Sequence, residues 1–399
     1  MTTRDDRLTK PTFLLQVVMA LMALAVLACS ASAQEKRLPK QGPIKVFILA
    51  GQSNMVGYGG IGTLDALGAH PTHGSLLKKI KNKDGSFVVR DDVFISWNDI
   101  RGPLTVGQGG GPDRIGPELM FGVTMGDYFE EPVLLIKTAW GGTDLYCDWR
   151  PPSAGKPAYE ILGPPRDMGA CYRKMIAEVH RCLGHIDADF PRLKGRPREL
   201  CGFVWFQGWN ERFADAKIKS QVYDEYPRNF VHLLQDLRAE FKVPNLPAVV
   251  GEMGVHGESP GDDVMALRAA QAKIPLQGEL KGTVAFVRTA SFWYPELDTL
   301  QRKFDDAYQR LMEKVKPQVK KEMEGKPEAN NPQALDRAQH QAVAKIAPED
   351  MEFQKIKVEH DRHISHWVCH YQGSARIYCL IGNALAEGMI NLLQKNTKR

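Results

Sequence analysis

The chain has 399 residues, 43% of them apolar and 25% charged, with a formal net charge of +5. This composition suits a soluble globular protein with a real core, and the length exceeds one typical domain without reaching three. Lysines and arginines are scattered among acids, with no basic stripe and no DNA- or RNA-binding motif, which argues against a nucleic-acid partner.

In chain order, the first element is a targeting segment. Arg4, Arg7 and Lys10 precede an apolar run over 13–28, and Ala31-Ser32-Ala33 then supplies small residues before Gln34. That order predicts a secretory signal peptide over 1–33, whose cleavage leaves a secreted or periplasmic chain with no membrane attachment. The alternatives are a retained anchor and lipidation at Cys29. The run is short for a span and ends in small residues, and Leu27 is bulky where lipoprotein signals carry a small residue. Cleavage leaves Cys147, Cys171, Cys182, Cys201, Cys369 and Cys379. No pair has C-x-x-C spacing, and both bridges and buried thiols stay open.

Residues 34–43 read as a polar linker, after which short apolar, β-branched runs at 44–50, 132–137, 202–206, 248–251 and 283–287 read as strands. Helical periodicity fills 117–129, 171–183, 226–241 and 377–389. Strands alternating with helices predict an α/β domain, over 44–299 and 347–399, with a parallel sheet covered on both faces. Residues 300–346 are dense in Lys, Glu, Gln and Arg and read as a charged helical insertion, broken near 325–332. A solvated excursion is favoured there over a substrate lid.

In parallel sheets, ligands bind beyond the carboxyl ends of the strands. Gly51-Gln52-Ser53-Asn54-Met55 follows the first strand, and a Gly-led turn there lifts a serine to the sheet edge among backbone N–H groups. A serine hydroxyl needs a base and oxyanion donors to act as a nucleophile. Gly141-Gly142 follows the second strand and lets backbone approach a ligand. Gln207-Gly208-Trp209-Asn210 follows the third and carries amide donors. His370 precedes the last helix, and imidazole suits the base role near neutral pH. Each segment alone could be an ordinary turn; four in this order are not coincidence.

Together, GQSNM, the Gly141-Gly142 block, Gln207 to Asn210 and His370-Tyr371-Gln372-Gly373-Ser374-Ala375 resemble the sialate O-acetylesterase/acetylxylan esterase branch of the SGNH hydrolases. The resemblance implies a three-layer α/β/α sandwich of flavodoxin-like type. It implies an esterase acting on acetylated carbohydrate through an acetyl-serine, without a cofactor or catalytic metal. Ser53 would be the nucleophile and His370 the base. The oxyanion donors would be the N–H groups of Ser53 and of Gly141 or Gly142, with the side chain of Asn210 or Gln207. Gln52, Trp140 and Trp209 are the expected substrate contacts. One departure stands out: the family's aspartate three residues before the histidine is here Trp367. Asp361 is the nearest substitute, Glu359 the next, and a Ser–His dyad with another orienting acceptor is the third choice.

Three rivals are weighed. Gly257-Glu258-Ser259-Pro260-Gly261 fits a nucleophile elbow, but Pro260 lacks the N–H that the elbow needs. His360, His363, His366, His370 and Cys369 fall within eleven residues and could hold zinc. A chain lacking the triad acid could also bind glycan without hydrolysing it, using its tryptophans.

Overall fold

Strand β1 (Ile44–Gly51) is apolar along almost its whole length because it is covered on both faces, and seven of its eight residues are buried. The computed structural model describes residues 41–157 and 166–397; the expected leader, Cys29 and most of the 34–43 linker lie outside them. Beside β1 run β2 (Val93–Trp97), β3 (Ile100–Pro103), β4 (Val133–Ala139), β5 (Arg198–Phe206), β6 (Ala248–Gly251) and β7 (Val284–Val287). They form one seven-stranded sheet in the order β3-β2-β4-β1-β5-β6-β7. All neighbours are parallel except β3, which folds back on β2 through Asn98, a residue at φ +47°. The expected parallel sheet thus carries one antiparallel strand at its edge.

On one face, Phe47 packs its ring edge-on against Phe121 of α2 (Glu118–Tyr128), at 5.6 Å. A Cβ on Gly202, next to Phe47, would collide with Met389 of the last helix, α9 (Ala375–Thr397). On the other face, Phe203 and Trp205 meet Phe230 of α4 (Lys219–Glu240) at 6.4 and 6.1 Å. Side chains alternate along a strand, so the two sets lie on opposite faces and the fold is a three-layer α/β/α sandwich. Helix α3 (Ala170–Asp189) and the short α5 (Asp262–Ala272) complete the layers. No helix among the described residues is long and apolar enough to cross a membrane.

The charged segment forms α6 (Pro295–Met323) and α7 (Pro332–Ile346), parted by Gly325 at φ +77°, and continues into α8 (Met351–Asp361). Asn331 and Asp350 cap α7 and α8 by accepting from the first-turn amides. The three helices bury a small apolar cluster of their own, including Leu311, Val315, Val343 and Phe353.

Register sets the site. Gly51 of β1 lies level with Ala139 of β4 and with Phe206 of β5. The loops leaving these three central strands therefore emerge side by side. From β1 the chain crosses first to one side of the sheet and later to the other, so the crevice between these loops is a topological switch point.

Candidate functional site

Gly51 has φ +156°, and a Cβ there would lie 2.2 Å from the Phe206 carbonyl oxygen. Only glycine fits, and the chain can then turn at once into α1 (Ser53–Val56). Ser53 heads this turn, 7% exposed, and its hydroxyl has no hydrogen-bond partner among the described residues. A Cβ on Gly141 would lie 3.8 Å from that of Ser53, so the glycine loop packs directly on the serine. The amides of Ser53, Gly141 and Gly142 have no backbone acceptor among the described residues.

Gln52 is fully buried and holds the neighbouring loop. Its Nε2 donates to Asn210 Oδ1 at 2.8 Å, and its Oε1 accepts from the amides of Gly208 (3.0 Å) and Asn210 (3.3 Å). Gln52 is thus a brace with no face open to substrate, which corrects its expected role as a contact. The same bonds fix Asn210, whose Nδ2 has no hydrogen-bond partner among the described residues. Gln207 differs: its Nε2 donates to the Thr143 carbonyl (3.0 Å) and to Glu211 (2.6 Å), while its Oε1 accepts from Tyr226. Both amide hydrogens are committed, so Gln207 has none to offer an oxyanion.

His370 opens a tight turn. Tyr371, Gln372 and Gly373 have φ of +50°, +55° and +64° in succession. The backbone curls back so that the Gln372 carbonyl accepts from the amides of Ser365 (2.9 Å) and His366 (3.1 Å). Glycine is required at 373, where a Cβ would meet the His366 nitrogen at 2.6 Å. The turn is bolted to the serine's neighbour: Asn54 Nδ2 donates to the Cys369 carbonyl (3.0 Å), and Tyr378 donates to Asn54 Oδ1 (2.9 Å).

The curl brings two imidazoles together. His370 Nδ1 lies 2.8 Å from His366 Nδ1, and both rings lie against Tyr58, at 4.4 and 4.6 Å. Two nitrogens at that distance share one hydrogen, one ring donating and the other accepting. Burial, and then His366, push His370 down to about 4; burial and Arg114 lower His366. Both rings are therefore neutral near pH 7.

Asp361 is not part of this pair. It ends α8, binds Lys357, and faces His360 Nδ1 at 3.0 Å. Its expected role as triad acid is corrected: the helix end turns it toward its own neighbour, away from His370. Glu359 faces Arg362 and His363, just past the end of its helix. The histidine cluster disperses as well, since His360 stacks on Phe304 at 4.1 Å. Among the described residues no group of three or more His, Cys, Asp or Glu side chains converges as a metal site. His366 was noticed in the sequence only as a metal-ligand candidate. Its H-x-x-x-H spacing to His370 was the available signal, but helical spacing was the wrong frame for a left-handed curl. The six cysteines from Cys147 to Cys379 are free thiols, and Ser259 of the alternative elbow sits exposed after β6.

Three cavities lie among the loops that leave the sheet and the 365–368 segment. One of about 330 Å³ is lined by Gly142, Asn210, Asp144, Glu211 and Arg166, with the Glu211 carboxyl pushed well up by burial and by Asp144. A second, of about 450 Å³, lies between Tyr58, Trp97, Trp140 and Gly141. A third, of about 910 Å³, separates the 365–368 segment from α6. Trp140 borders the second. Trp209 lies under the Arg212 guanidinium at 4.1 Å and faces His256, on the wall of the third, at 6.3 Å.

A family model described as carbohydrate esterase, sialic acid-specific acetylesterase, matches residues 43–292. No curated protein matches the chain by sequence. Among solved structures, a protein from Arabidopsis thaliana is 19% identical over 62% of this chain and 86% of its own, with a TM-score of 0.39. A carbohydrate acetylesterase from Xanthomonas citri is 17% identical over 63% of this chain, with a TM-score of 0.37; the match spans 51% of that protein's length.

Proposed function

The chain belongs to the carbohydrate esterase family of sialic acid-specific acetylesterases, and from that premise we propose that it deacetylates carbohydrate by way of an acetylated Ser53, with His370 moving the proton. His370 Nε2 takes the hydroxyl proton as Ser53 attacks the acetyl carbonyl. The N–H groups of Ser53 and of Gly141 or Gly142, with Asn210 Nδ2, receive the oxyanion. When the tetrahedral adduct collapses, His370 returns the proton to the departing sugar oxygen, and water then releases acetate from the serine. His366 accepts the His370 Nδ1–H and so keeps the Nε2 lone pair toward Ser53. A neutral ring stabilises the imidazolium less than a carboxylate would, so the rate falls short of a full triad.

The observation that carries this reading is the level exit of β4, β1 and β5, with Asn54 binding the carbonyl next to His370. Export belongs to the proposal too, supported by the basic start, the apolar run over 13–28 and Ala31-Ser32-Ala33. The test is acetate release from p-nitrophenyl acetate, O-acetylated sialic acid and acetylated xylan by secreted chain whose mass shows a start at Gln34. Ser53→Ala is expected to lose on the order of 10³-fold or more of the rate. Undiminished hydrolysis by that variant would sink the serine mechanism, and a mass that retains the leader would sink cleavage.

A further inference from the structure

The direction of proton return bears on where the sugar of the substrate sits. In the serine mechanism proposed above, on which this inference rests, His370 must reach the oxygen of the departing sugar. The sugar therefore lies on the histidine side of the serine. Of the other two cavities, one is bordered by Gly142 and Asn210, and the other by Gly141 together with Tyr58, whose ring stacks on His370. The cavity of about 910 Å³ is bordered by His366, Trp367 and Val368 on one wall and by α6 on the other. His256, which faces the Trp209 ring, closes the end nearest Asn210.

We propose that this cavity receives the carbohydrate of the substrate, with one sugar ring lying on Trp367, and that it takes an oligosaccharide rather than a single sugar. Trp367 is 72% exposed, an unusual state for the largest apolar side chain, and its ring lies nearly parallel to His370 at 6.0 Å. A flat aromatic face there packs the C–H face of a pyranose while the rim answers its hydroxyls. The rim supplies donors and acceptors: Arg302 and Gln301 from α6, with His256 opposite. The volume is near the top of the roughly 300–1,000 Å³ range of ligand pockets, more than one sugar residue requires. Trp367 also occupies the chain position where the triad acid was expected. His366 takes over contact with the His370 Nδ1, so position 367 is released to face the substrate.

The experiment measures binding of acetylated xylotetraose and of a single acetylated sugar to the full mature chain carrying Ser53→Ala, by calorimetry. The tetrasaccharide is expected to bind more tightly than the monosaccharide. Adding Trp367→Ala should weaken tetrasaccharide binding on the order of tenfold, and Trp367→Phe should restore most of it. Equal affinities for the two sugars, or binding untouched by Trp367→Ala, would overturn the proposal. Hydrolysis of p-nitrophenyl acetate by the unmodified chain separates the two readings. If it is absent while Trp367-dependent binding persists, the serine mechanism fails and the subsite stands; if it is present with unaltered binding, the subsite fails alone.

Discussion

At the scale of single residues, the pairing of His366 with His370 sets the pH behaviour. Among the described residues no carboxylate charge acts on His370, whose affinity for protons is set by burial and by the neighbouring ring. With its pKa lowered to about 4, the base is already neutral at mild acidity. We expect kcat/KM for p-nitrophenyl acetate to stay level as pH falls from 7 to about 5 and to halve near pH 4. His366→Asp would supply the missing anion, favour the imidazolium and move that acid limb upward. His366→Ala is expected to lower kcat on the order of 10- to 100-fold. An acid limb at the same pH in His366→Asp would mean that residue 366 does not contact the working base. The shift acts on the fold as well. The unfolded chain protonates this histidine near 6.5 and the folded chain only near 4, so the unfolded state binds the proton first and stability drops as pH falls between those values.

At the scale of elements, the turn that carries Ser53 rests on a buried charge pair. Lys137 of β4 is fully buried and donates to the carbonyls of Val56 (2.8 Å) and Gln108 (3.0 Å) and to Glu118 at 2.9 Å. The other Glu118 oxygen accepts from the Gly116 amide. Burial lowers the lysine pKa, and the glutamate offsets part of that cost. Removing the partner strands a cation in the core, so Glu118→Gln should destabilise the protein by about 3–5 kcal/mol, read as a lowered midpoint in urea. A midpoint unchanged in Glu118→Gln would show that the pair carries no such stabilisation. The elements differ in how legibly the sequence announces them. Continuous apolar runs disclosed β1, β4, β5, β6 and β7, because strands covered on both faces need nothing else. The β2–β3 hairpin was missed because its turn, Trp97-Asn98-Asp99, has no glycine and relies on Asn98 to adopt a positive φ. Helix α4 begins seven residues before its expected start and contains Pro227, a residue that sequence reasoning places at helix ends.

At the scale of the whole molecule, the proximity of Ser53, Gly141, Gly142 and Asn210 is legible in the sequence because each follows a strand, and a parallel sheet brings strand ends together whatever the loops contain. The contact between His366 and His370 could not be read that way. It depends on Tyr371 and Gln372 occupying left-handed conformations that neither residue favours, and only the surrounding packing enforces them. That closure has a consequence in time. The bond from Asn54 to the Cys369 carbonyl joins residues 315 apart, so the proposed nucleophile is made early in synthesis and its proposed base almost last. Contacts of such long range form after local ones. During refolding from urea, helical circular dichroism should return first and hydrolysis of p-nitrophenyl acetate should trail it; simultaneous recovery would contradict that order. A nascent or clipped chain lacking its final thirty residues would hold a nearly finished sheet and no competent base, which makes catalysis a report on whether the last segment has docked.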